Sequence, residues 1–378
     1  MTELDGRDGP ATFARRYTKT WVHAVATAAL TAFGTLTVVD QRFAAVAIAA
    51  YVLPPVVLYL GVDGDGDAAA ASSSETGPGS SAASATDSAT WTLASVPTDA
   101  RLYDAASTEA GAYAVGADGT LVADDGTGWE TVLSDGPRAQ SQTLRGVDSV
   151  GDGGGVWIAG DGGTVARVDP ETGRHVDHSE PAGDTSNLVA VAASSGPDGE
   201  RVLLGDGSGR VRRGDYRDGS VAWRDPVTPG SGSSLAGLAF GADATGWVCD
   251  TSQGVFETAD AGRSFTDAGI GGVTGTLTDV AATSAGPVVG TDAGVVYRRD
   301  SGSWTPERVA DAALRSVAGR GDRWLACGDD GAVFERAAAA DWERAVTPTT
   351  ESLNGVAVGG SRALAVGDGG TVLECDGQ

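Results

Sequence analysis

Seven times between Leu102 and the C-terminus the chain repeats one pattern. A leucine is followed by small residues, a Val-rich strand-like run, a Gly-Asp-Gly-Gly-Thr-Val-like turn, a second strand and an aromatic. The opening leucines are Leu102, Leu144, Leu188, Leu235, Leu277, Leu314 and Leu353, spaced by 42, 44, 47, 42, 37 and 39 residues. A period near forty with several short strands per unit predicts an all-β fold, a seven-bladed β-propeller with one blade per repeat.

The turns sharpen the pattern. Gly160-Asp161-Gly162-Gly163-Thr164-Val165 recurs as Gly367-Asp368-Gly369-Gly370-Thr371-Val372, with looser copies at 116–121, 290–295 and 328–333. Asp-Gly and Gly-Gly pairs supply the positive φ angles that tight turns need. A motif present in most repeats reads as turn chemistry rather than as a ligand site. After the turn come Trp129, Trp223, Phe265, Trp304 and Trp342; the second unit lacks this aromatic and has His175 and His178 nearby. The seventh unit ends at Gln378 before its aromatic, and the missing strand is available at 89–93, around Trp91. That N-terminal strand is expected to complete the last blade and close the ring, leaving no open sheet edge.

One repeat carries a more specific hairpin. Thr258-Ala259-Asp260-Ala261-Gly262-Arg263-Ser264-Phe265 fits the Asp-box pattern S/T-x-D-x-G-x-S/T-W/F, and 299–304, with Asp300, Gly302 and Trp304, is a shorter variant. An aspartate there is placed to accept the N–H groups of its own turn. On these residues the segment 89–378 resembles the BNR-repeat propellers, and in particular the Ycf48-like photosystem II assembly factors. The resemblance implies a non-catalytic docking or assembly role toward a membrane complex. Its motif residues build blades, so it implies no catalytic, cofactor or metal residue.

Charge sets the habitat. The chain has 26 Lys+Arg against 51 Asp+Glu, a net charge of −25, and its only lysine is Lys19. Residues 1–62 hold five basic and four acidic residues, so the imbalance of 21 against 47 lies beyond them. A carboxylate-dense surface stays hydrated where salt screens long-range repulsion, the composition of a salt-adapted, haloarchaeal protein. Nucleic acid is excluded as a partner, because phosphates require a basic footprint. Three cysteines, Cys249, Cys327 and Cys375, make no disulfide framework and are expected as small core residues. With three histidines and no ligand spacing, neither zinc nor haem is expected.

The N-terminus reads differently. Residues 20–39 and 43–62 are apolar stretches long enough to span a bilayer, joined by Asp40-Gln41-Arg42. They form an expected transmembrane hairpin, with 1–19 as a short cytoplasmic segment. Arg15, Arg16 and Lys19 precede the first span, so the positive-inside rule places both the N-terminus and the propeller in the cytoplasm. The rival reading takes Arg15-Arg16 as a twin-arginine export signal and puts the propeller outside. Residues 63–88, rich in Ala, Ser, Gly and Asp, are too polar to fold and are expected to be a disordered tether.

The reading that results is a two-pass, membrane-anchored propeller that docks a membrane-associated protein partner; it needs no cofactor, and the sequence does not fix its oligomeric state. The alternative is an exported glycan-binding or sialidase-like propeller. That would require arginines and carboxylates gathered at the centre of one face.

Overall fold

The computed structural model describes residues 90–376, apart from 109–110, 152–153, 197–198, 242–243, 338–339 and 361. The expected transmembrane hairpin and tether lie outside the described residues. Among the described residues no helix is long and apolar enough to cross a membrane.

The described strands form seven antiparallel four-stranded sheets, one per repeat. Each blade starts at a repeat leucine. Blade 1, for example, runs through Leu102–Ser107, Ala112–Gly116, Leu121–Asp124 and Trp129–Leu133 from the inner to the outer strand. Blade 7 takes Leu353–Val358, Arg362–Gly367 and Val372–Asp376 from the C-terminus and its outer strand, Thr92–Leu93, from the N-terminus. The closing pairs are Thr92 with Glu374 and Leu93 with Leu373.

The apolar clusters lie between neighbouring blades rather than inside one sheet. One joins Leu102, Ala114 and Val122 of blade 1 to Leu364, Val366 and Val372 of blade 7, sealing the ring. Cys249, Cys327 and Cys375 are buried and free, filling small spaces in these clusters.

Polar clips cross the same interfaces. Trp129 Nε1 of blade 1 donates to Glu374 of blade 7 at 2.9 Å, Trp342 Nε1 of blade 6 to Glu307 of blade 5 at 3.0 Å, and Trp91 Nε1 of blade 7 to Glu335 of blade 6. In blade 2, where the sequence has no aromatic after the turn, His178 stacks on Trp157 at 5.4 Å and meets the edge of Tyr216 from blade 3. Part of the acidic composition thus joins blade to blade.

Candidate functional site

In all seven inner strands the ladder register slips one residue after the repeat leucine, from Leu102 to Asp104 in blade 1 and from Leu353 to Gly355 in blade 7. A bulge re-aims the side chain it displaces. The displaced residues are Tyr103, Arg145, Val189, Ala236, Thr278, Arg315 and Asn354, and all seven line one cavity of about 460 Å³ at the mouth of the central channel. Arg101, just before Leu102, joins them.

The mouth therefore gathers three guanidiniums in a strongly acidic protein, each held by an aspartate. Arg145 makes a two-pronged pair with Asp161, Nε to Oδ1 at 2.6 Å and Nη2 to Oδ2 at 2.9 Å. Arg315 binds Asp329 through Nε at 2.9 Å and Nη2 at 2.8 Å, and Arg101 binds Asp368 through Nε at 2.9 Å. Arg101 Nη2 also donates to Asn354 Oδ1 at 3.2 Å. The guanidinium carbons of Arg101 and Arg145 lie 5.3 and 5.6 Å from the Tyr103 ring centroid, a cation–π arrangement shared by one ring. Hydrogen bonding to Asp161 raises the Arg145 pKa, and Arg315 lowers that of Asp329. Arginines fixed in this way lose little freedom on meeting an anion.

Deeper in the channel stand three carboxylates that belong to neither the turn motif nor the Asp-box. Asp104 and Asp279 line both the mouth and a second cavity of about 1090 Å³ toward the opposite face, and Asp148 lines the second cavity. Each ties its blade to the next through a backbone N–H. Asp104 accepts from Val147 at 2.9 Å, Asp148 from Ala193 at 2.8 Å, and Asp279 from Val317 at 3.0 Å and from the Ser316 hydroxyl at 2.8 Å. Burial raises their pKa values, to about 7 for Asp104 and about 6 for Asp148 and Asp279.

A pH dependence follows, and its sign is fixed by linkage. Between pH 4 and 7 these groups hold more protons in the folded than in the unfolded chain. Their contribution is complete below about pH 4 and is lost as pH rises through 7. Asp184 and Asp260 oppose this at the acid end. The Ser186 hydrogen bonds hold Asp184 at about 2. At Asp260 burial alone would raise the value, but the bonds from Ser264 and Thr258 outweigh it and bring it to about 2. Urea unfolding should show stability lower by roughly 5 kcal/mol at pH 8 than at pH 5. Asp104→Asn should flatten that slope; an unchanged slope in the variant counts against the assignment.

The turn residues frame the mouth. Gly163 and Gly370 both sit at φ +69, and Gly160 and Gly367 abut the carbonyl oxygens of Thr143 and Ser352, where a Cβ would come within 2.1 Å. The side chains of Asp161 and Asp368 do not cap the turn but hold Arg145 and Arg101, while the Gly162 N–H is taken by Asn187 Oδ1 at 2.9 Å.

The Asp-box lies apart, on the outer part of blade 4. Asp260 accepts from the Thr258 hydroxyl, from the Arg263 and Ser264 N–H groups and from the Ser264 hydroxyl, at 2.7–3.0 Å. Gly262 takes φ +81 against Leu203 of blade 3, and Phe265 packs on the cluster that contains Leu203. In the shorter variant Asp300 ends the third strand of blade 5, Gly302 turns the hairpin at φ +84, and Trp304 Nε1 donates to the Ala268 carbonyl at 3.0 Å. None of the box residues lines the mouth. Among the described residues no group of three His, Cys, Asp or Glu could hold a metal.

No family model and no curated protein matches the chain. Several solved structures are similar. Ycf48 bound to D1 peptide aligns with a TM-score of 0.61 at 14% identity, over 77% of this chain and 96% of that one. A catalytically inactive virginiamycin B lyase from Staphylococcus aureus with quinupristin gives 0.64 at 12% identity, over 77% and 100%. The WD40 β-propeller domain of Doa1 gives 0.60 at 12%, over 77% and 97%. At these identities the likeness speaks to architecture alone, and with the seven closed sheets it makes residues 90–376 a seven-bladed β-propeller.

Proposed function

We propose that this chain is a membrane-tethered docking platform whose channel mouth receives a carboxylate-bearing segment of a membrane-associated protein partner, in the assembly or stabilisation of a membrane complex. The observation that carries the reading is the set Arg101, Arg145 and Arg315, three guanidiniums oriented by Asp368, Asp161 and Asp329 around one cavity. With Nε and Nη2 of Arg145 and Arg315 engaged by the aspartates, the Nη1 amines are what these two residues offer an incoming anion. The Ycf48 structure described with a D1 peptide supports peptide docking on such a ring. The apolar stretches 20–39 and 43–62 would confine the platform to the membrane plane, raising the effective concentration of a membrane partner. In this reading the propeller faces the cytoplasm of a salt-adapted cell. The same arginines also suit an acidic glycan on an exported propeller. Among the described residues no glutamate lines the mouth beside Tyr103, which favours binding over sialidase-like hydrolysis.

The test is capture of full-length protein from gently solubilised membranes in molar salt, beside an Arg145→Gln/Arg315→Gln double variant. A defined set of membrane subunits should be recovered with the parent chain and fall at least tenfold with the variant. Deleting 1–62 should weaken capture without abolishing it. Equal recovery on the double variant would remove the mouth from the mechanism.

A further inference from the structure

The positive residues are not all at the mouth. On the face of blade 3 that meets blade 4, ladder pairs place Leu203 beside Arg213 and Arg201 beside Asp215, so all four side chains share one side of the sheet. Leu203 belongs to the cluster that includes Phe265, and the Gly262 turn of the Asp-box rests on it, so Arg263 of blade 4 is brought beside Arg213.

Arg213 is 6% exposed, yet its Nε has no hydrogen-bond partner among the described residues. Its Nη2 binds Asp215, which Arg224 also approaches at 3.3 Å. Burial and the charges of Arg263 and Arg201 lower the Arg213 pKa. Asp260, the carboxylate of the adjoining box, is engaged by its own turn.

A repeat comparison shows what is missing. By register Arg213 holds in blade 3 the place Arg167 holds in blade 2. Arg167 is matched by Glu200 of blade 3 through two bonds of 2.7 and 2.8 Å. In blade 4 the position of Glu200 falls to Ala244. A buried guanidinium, stripped of its inter-blade carboxylate and crowded by others of its own sign, costs free energy unless an anion completes it.

We infer that the blade 3–4 interface is a binding site for a small tetrahedral oxyanion of the phosphate or sulfate class, taken by Arg213 Nε with Arg201 and Arg263 around it. A dianion suits the site better than a single carboxylate, since among the described residues Asp215 pairs with both Arg213 and Arg224 and is left to balance the charge of Arg201 and Arg263 as well. The guanidinium fork matches phosphoryl oxygens in geometry. This site is separate from the channel mouth and stands whether or not the docking reading does.

The test is titration of the full chain with inorganic phosphate by calorimetry at fixed chloride, with sulfate as competitor. One equivalent should bind, and Arg263→Gln, an exposed position that leaves the core intact, should weaken binding at least tenfold. Asp215→Asn, by freeing Arg213 Nη2, should tighten it several-fold. O-phosphoserine binding as well as phosphate would assign the site to phosphoryl groups carried on larger molecules, and its failure to bind would assign it to the free ion. No phosphate binding by the parent chain, or equal binding by Arg263→Gln, overturns the inference.

Discussion

Replacing Glu200 by glutamine should destabilise the propeller by about 3 kcal/mol or more, the usual cost of removing one partner from a buried ion pair. Glu200 accepts four hydrogen bonds: two from Arg167, one from Trp157 Nε1 at 2.9 Å and one from the Gly155 N–H at 2.9 Å. Burial by itself would raise its pKa, but Arg167 and the other donors outweigh that and hold it below the ordinary glutamate range. Glutamine keeps the shape, yet one of its two heads is an NH₂ that would face donors. Thermal and urea unfolding measure the loss directly. Replacing Arg167 and Glu200 together with leucines should recover much of it, because no buried charge is then left alone. A single-site loss under ~1 kcal/mol would mean that the blade 2–3 clip contributes little.

Removing residues 1–96 should be more damaging than any single substitution. Trp91 is buried in the cluster between blades 6 and 7, Thr92 and Leu93 complete blade 7, and the Ala94 N–H donates to the Val372 carbonyl at 2.9 Å. Without them the strand Val372–Asp376 becomes an open edge that can pair with another chain. The truncated protein should lose its sharp unfolding transition and self-associate, seen by light scattering. A chain beginning at residue 89 should unfold like the full-length protein, and Trp91→Ala should fall between, at about 3–5 kcal/mol. Coincident melting of the two truncations would show that the closing strand is dispensable.

The architecture was readable because it is written seven times. The spacing of Leu102 and its six counterparts gave the blades, and the stranded aromatic Trp91 gave the closure, since both are local patterns. The mouth was not readable. Arg145 and Arg315 stand 170 residues apart, and only the bulge after each leucine brings them to one rim. Asp161 and Asp368 looked like turn residues because the glycines around them do shape a turn, while their side chains face arginines from other segments. Asp104 and Asp279 sit two residues after their leucines, where most other repeats have glycine or alanine. Columns aligned on the leucine would have exposed them as carboxylates in an otherwise small, apolar strand. The surplus of acid hid them, since any one carboxylate among 51 reads as surface.

The slip after each inner-strand leucine makes the rim behave like a seven-character address. Tyr, Arg, Val, Ala, Thr, Arg and Asn occupy the characters in this chain; Val189 and Ala236 also pack on clusters between blades, and Asn354 Nδ2 donates to the Leu102 carbonyl of blade 1. Rewriting a character changes the rim and, at Val189, Ala236 and Asn354, a contact between blades as well. A lineage of such rings could therefore vary its rim by point changes, most freely where the character leaves the neighbouring blade untouched.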